Sequence, residues 1–233
     1  GAPCAPTLLS LEDARTLSHE FGHGLHGMLS DVTYERLSGT QVLKDFVELP
    51  SQLFEHWITE PEVLKAHARH WQTDEPIPDA LIERLHAARR FNQGYETVRY
   101  CASAMVDMAV HSLPQDQMPD DLCTFEADTL KRLGLPDGVG INHRLVHFQH
   151  LFSSSGYAAG YYVYLWAEVL DADANAWFEA NGGLKAENGA RFRDLVLSRG
   201  DTKPQMEQYV EFAGREPDIA PLLKRRGLEQ KAK

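Results

Sequence analysis

Apolar residues recur at helical spacing along almost the whole chain, and convincing period-2 alternation is nearly absent. A chain of this kind cannot bury its core under a sheet and has to pack helix against helix. The sequence therefore predicts a mainly α fold with few or no strands. Helices are expected over about 11–29, 46–59, 60–71, 79–112 with a break near Gly94, 120–133, 157–180, 186–199, 204–213 and 217–226. Ser10 and Asp13 stand at capping-box spacing ahead of the first. Asn181-Gly182-Gly183 closes the longest. Pro50 is expected in the first turn of its helix, where a missing N–H costs little. Residues 30–45 and 153–156 read as loops.

A length of 233 residues allows one large domain or two small ones. The reading adopted is a single domain over 1–233, with loose ends at 1–5 and 229–233. The apolar fraction of 43% is enough for a sizeable core. The formal net charge of -11 argues against a nucleic-acid partner, since phosphate backbones bind clustered Lys and Arg. Lys224-Arg225-Arg226 is too short a basic cluster to change that. No apolar run reaches membrane-span length, so no membrane partner is expected. Gly1 to Pro6 lacks the pattern of a signal peptide, which favours the cytoplasm. Cys4, Cys101 and Cys123 form neither a disulfide framework nor a Cys-x-x-Cys metal site, and read as idle thiols.

The chemistry concentrates in His19-Glu20-Phe21-Gly22-His23, an H-E-x-x-H pattern within the first expected helix. Two His four residues apart share one helix face, so both imidazoles can reach one ion. Zinc suits imidazole, and a catalytic site takes three protein ligands and leaves a position for water. Glu20 then sits beside the metal, where it can move a proton. A third ligand is needed. His26 is near, but one helix cannot easily wrap three of its own side chains around a tetrahedral ion. The metzincin extension also fails, because position 29 is Leu. Glu48 and Glu55 on the second expected helix are the better choices, one as ligand and the other as a partner of a ligand His. Asp31, Glu35 and Asp45 are weaker. Gly22, Gly24 and Gly27 are unfavourable in a helix by up to about 1 kcal/mol each, so packing or a bound group has to hold it. The competing reading is a structural helical domain with a fortuitous motif.

Tyr157, Tyr161 and Tyr164 fall at i, i+4 and i+7 and would form one helical stripe, with Tyr162 pointing elsewhere. Such stripes are usually core packing. A phenol is also a suitable donor to an oxyanion. His143, His147 and His150 precede this helix. His56, His67, His70, His86 and His111 read as solvated or structural.

The segment from Leu17 to His26 resembles the zinc helix of the thimet oligopeptidase, oligopeptidase A and bacterial dipeptidyl carboxypeptidase family. Asp45-Phe46-Val47-Glu48-Leu49-Pro50-Ser51-Gln52 is similar to that family's second zinc segment, and Gly156 to Leu170 to its Tyr-rich helix after a flexible loop. The resemblance covers about residues 6–228. It implies a zincin-like catalytic domain forming one wall of a peptide channel, and hydrolysis of short oligopeptides with one Zn²⁺ per chain. It implies His19, His23 and Glu48 as ligands, Glu48 falling 25 residues after His23 as in the family. It implies Glu20 as base, and Tyr157, Tyr164 and His150 as substrate and oxyanion contacts, with His143 and His147 as alternatives to His150. Family members are much longer. The chain is thus expected to be a catalytic segment of a larger architecture, with self-association through the uncovered surface and a periplasmic location left open. An inactive zinc-binding fragment is the alternative.

Overall fold

The computed structural model describes residues 7–229. The expectations for residues 1–5, for the Cys4 thiol and for 230–233 lie outside the described residues. Eleven α-helices and no strand occur among the described residues, apart from an isolated antiparallel bridge between Arg69 and Pro76. The mainly α expectation holds. No helix among the described residues is long and apolar enough to cross a membrane.

The chain divides into two compact units, one comprising residues to Phe91 and from Trp166 onward, the other Asn92–Leu165. The first unit holds α1 (Leu11–Met28), α2 (Lys44–Trp57), α3 (Pro61–His67) and α4 (Asp79–Ala88). It continues with most of α8 (Val163–Ala180), then α9 (Ala186–Phe192), α10 (Gln205–Ala213) and α11 (Ala220–Arg226). Its core joins Phe46, Leu49 and Leu53 of α2 to Leu170, Ala174 and Phe178 of α8, with Phe192, Val196, Tyr209 and Phe212. The second unit holds α5 (Gln93–His111), α6 (Leu122–Arg132) and the short α7 (Gln149–Phe152). Ala102, Val106 and Val110 of α5 bury there against Ile141, Leu145, Phe148, Leu151 and Tyr161.

The Ser10 capping box is present: Ser10 Oγ accepts from Asp13 N–H at 3.0 Å, and Ser10 N–H donates to Asp13 Oδ2 at 3.0 Å. Three expectations need correction. α2 begins at Lys44, so Pro50 lies inside the helix and not in its first turn. The proline removes the intrahelical donor to the Phe46 carbonyl, and packing must carry that cost. The break after α4 falls at Arg89 to Asn92, where Asn92 adopts a left-handed φ of 56°, and Gly94 is helical. Finally, the helix expected from Tyr157 starts only at Val163, and residues 157–162 form successive turns.

Candidate metal centre and tyrosine cluster

α1 and α2 lie close enough that a Cβ on Gly22 would stand 2.6 Å from Ser51 Cα. This close approach explains a glycine in mid-helix and brings His19 and His23 against Glu48. His19 Nε2 is 3.4 Å and His23 Nε2 is 3.3 Å from the same oxygen, Glu48 Oε2. Donor atoms of the three residues all lie within 4.8 Å of one another. Corners of a tetrahedron with zinc-like bonds of about 2.0–2.1 Å stand about 3.3 Å apart, so the donor set fits such an ion.

A surrounding layer orients these donors. His19 Nδ1 is 2.6 Å from Glu55 Oε1, and Arg15 donates to Glu55 Oε2 at 2.8 Å. A carboxylate can only accept here, so the His19 proton sits on Nδ1 and the Nε2 lone pair faces Glu48. The hydrogen bond to Glu55 holds the His19 pKa above its usual value against the effect of burial, and the charges of Glu55, Glu48 and Glu20 add to it. The field that favours a proton there also favours a metal cation. Glu48 is buried, which pushes its pKa up, but His23, Ser51 and His19 together outweigh that and hold it below the usual carboxylate value. Ser51 Oγ lies 3.0 Å from both Glu48 Oε2 and the Glu48 carbonyl oxygen. His23 Nδ1 is buried with no protein partner. Glu20 is exposed beside these groups on α1.

His26 is not part of this group. It is fully buried, with neither ring nitrogen hydrogen-bonded, and burial aided by His23 pushes its pKa down to about 4. Asp31, Glu35 and Asp45 also stay outside. Arg15 and Ser51 were not singled out in the sequence. Their signal was local: Arg15 stands four residues before His19 and Ser51 three after Glu48, each on its partner's helix face.

His56, Glu60 and Glu179 form a second group with donor atoms close together. Arg225 lies 3.2 Å from His56 Nδ1 and can only donate. That leaves the neutral ring's proton on Nε2, which is 3.2 Å from Glu60 Oε1. The ring is set up for a hydrogen bond and not for a metal.

In the second unit, the expected helical stripe is replaced by a folded turn. Tyr157 and Tyr164 nevertheless stack, with ring centroids 5.6 Å apart and planes at 16°. His150 lies 5.8 Å from Tyr157, 6.0 Å from Tyr161 and 6.2 Å from Tyr164. His143 instead meets Phe148. Tyr161 is core: its ring is buried and its hydroxyl accepts from Asn142 at 3.1 Å. Tyr162 is exposed.

Among the described residues, an H-E-x-x-H helix thus faces a carboxylate from α2, with donor atoms spaced as a metal ion would need them. The family model for "Peptidase family M3" matches residues 2–228, and the chain belongs to that family. It is 43% identical over 225 residues to a dipeptidyl carboxypeptidase of Escherichia coli, covering 96% of this chain and 33% of that protein. It is 36% identical to oligopeptidase A of Escherichia coli, again over 96% of this chain and 33% of the relative. A probable cytosolic oligopeptidase A of Arabidopsis thaliana is 39% identical over 232 residues, 96% of this chain and 32% of its own length. The chain therefore spans about a third of the length of the curated relatives it matches.

Proposed function

We propose that this chain carries the zinc-dependent hydrolysis of peptide bonds in short oligopeptides, of the oligopeptidase or peptidyl-dipeptidase type. The observation that supports it most is the convergence of His19 Nε2 and His23 Nε2 on Glu48 Oε2 at 3.4 and 3.3 Å, with the His19 tautomer fixed by Glu55. His19, His23 and Glu48 would hold one Zn²⁺. When bound, it supplies a Lewis acid that lowers the pKa of a water and polarises a peptide carbonyl. Glu20 takes a proton from the attacking water and hands it to the leaving amine. Tyr164, with Tyr157 and His150, donates hydrogen bonds to the carbonyl oxygen as negative charge develops on it. Peptide substrates are those that the relatives' names carry. A cytoplasmic location accords with the relative named cytosolic.

A second reading is a zinc-holding segment that turns nothing over by itself, and the chain's coverage of only a third of its relatives supports it. Exposed Leu17, Phe21 and Met28 on α1 would then favour self-association. The discriminating experiment is elemental analysis of the purified chain beside a Glu48→Ala control, with hydrolysis of a quenched fluorescent peptide on the same samples. One zinc per chain, lost in the control, together with turnover, is the expected result. Zinc without turnover selects the second reading. No zinc after reconstitution overturns both.

A further inference from the structure

Asp107 is fully buried on α5, and the proposed reaction gives it no part. A carboxylate withdrawn from water needs hydrogen-bond donors close by. It finds them in the backbone of the turn that carries the tyrosines. Ala159 N–H donates to Oδ1 at 3.0 Å and Tyr161 N–H to Oδ2 at 2.8 Å. His111 Nδ1 lies 2.7 Å from Oδ1. Ala159 adopts a left-handed φ of 55°. For a residue with a Cβ this costs on the order of 1 kcal/mol, and it persists only where the surroundings fix it. Two turns earlier on the same face of α5, the Tyr100 hydroxyl donates to the Tyr161 carbonyl. The Tyr100 ring also stacks on that of Tyr161, with centroids 5.1 Å apart and planes at 20°. One helix face thus grips both backbone polar groups of Tyr161 and one of Ala159. Tyr157 and Tyr164 flank the gripped turn.

We propose that Asp107 is a positioning residue, holding the turn at 159–161 so that the Tyr157 and Tyr164 hydroxyls stand together. The proposal rests on the reading of these tyrosines as oxyanion donors. A donor set that drifts by about 1 Å loses roughly a hundredfold in rate, so the grip matters more for turnover than for folding.

The test uses the whole chain with Asp107→Asn, which keeps the shape but turns an amide NH₂ toward one of the two N–H groups. Amide exchange and ring-to-ring contacts are read by NMR, zinc content by elemental analysis, and kcat and KM with the quenched peptide. The expected result is faster exchange at Ala159 and Tyr161 by at least about tenfold, and loss of the Tyr157–Tyr164 contact. Protection elsewhere on α5 and zinc content are unchanged, and kcat falls about ten- to a hundredfold with KM nearly constant. Tyr100→Phe, which deletes a single hydroxyl, should show the same pattern more weakly and guards against a variant that does not fold. Retained protection and ring contact in Asp107→Asn overturn the proposal. So does uniform loss of protection across the second unit, which would make Asp107 merely structural. Wild-type kcat in Asp107→Asn beside a slowed Tyr164→Phe also overturns it. A wild-type kcat in Tyr164→Phe removes the oxyanion reading instead, and the exchange data then still decide whether Asp107 holds the turn.

Discussion

Glu55 shows how a residue outside the ligand set governs it. Its carboxylate fixes the proton of His19 on Nδ1 at 2.6 Å and is itself held by Arg15 at 2.8 Å. The negative charge raises the basicity of the imidazole and so strengthens a bond from Nε2 to a cation. Glu55→Gln keeps an acceptor for Nδ1–H but removes that charge. Zinc affinity should weaken about ten- to a hundredfold, measured by competition with a chelating dye. An unchanged affinity would mean that His19 is oriented by packing alone. The sequence left Glu48 and Glu55 as rivals, because a carboxylate on a neighbouring helix carries no mark of which ring nitrogen it faces. The family resemblance separated them; Glu48 Oε2 lies 3.4 Å from His19 Nε2, and Glu55 Oε1 lies 2.6 Å from Nδ1 of the same ring.

At the scale of elements, the junction of α1 with α2 decides whether the donors meet. Gly22 and Gly24 are two residues apart and equally poor helix formers, yet they should respond to alanine with opposite signs. A Cβ at Gly22 would lie 2.6 Å from Ser51 Cα and 3.0 Å from the Pro50 carbonyl oxygen, both backbone atoms. α1 and α2 would have to separate, at about 1–3 kcal/mol of overpacking against up to about 1 kcal/mol of gained helix propensity. A Cβ at Gly24 would find only Met28 Cε at 4.0 Å. Gly22→Ala should lower stability by about 1–2 kcal/mol and weaken zinc binding. Gly24→Ala should raise stability by up to about 1 kcal/mol with binding unchanged. Urea denaturation with the same metal titration reads both; matching signs would refute the close-approach account. The capping box and the i, i+4 histidines were legible in the sequence because their causes lie within one helical turn. The early start of α2 was not, since Leu43 offers no capping side chain. The turn at 157–162 was hidden for a different reason. Its cause is Asp107, 52 and 54 residues away from the amides it captures, and no local periodicity records such a bond.

For the molecule as a whole, the two compact units divide the chemistry. Every donor in the candidate metal centre, with Glu55, Arg15 and Ser51 behind them, belongs to the unit formed by residues to Phe91 and from Trp166 onward. His150, Tyr157, Tyr161 and Tyr164 belong to the unit Asn92–Leu165, which has its own core around Val106, Leu145 and Phe148. An ion that binds only the folded donors stabilises them by mass action, about 2.7 kcal/mol at a hundred times its dissociation constant. Local openings in the second unit break none of those donor contacts, so they should not feel that stabilisation. Removing zinc with a chelator should therefore accelerate amide exchange in α1 and α2 by about a hundredfold. Exchange in α5, α6 and α7 should stay within experimental error. Hydrogen-exchange mass spectrometry with and without EDTA measures this directly. Equal acceleration in both units would show that they open as one cooperative body, so that the metal stabilises the tyrosine cluster as well as its own ligands.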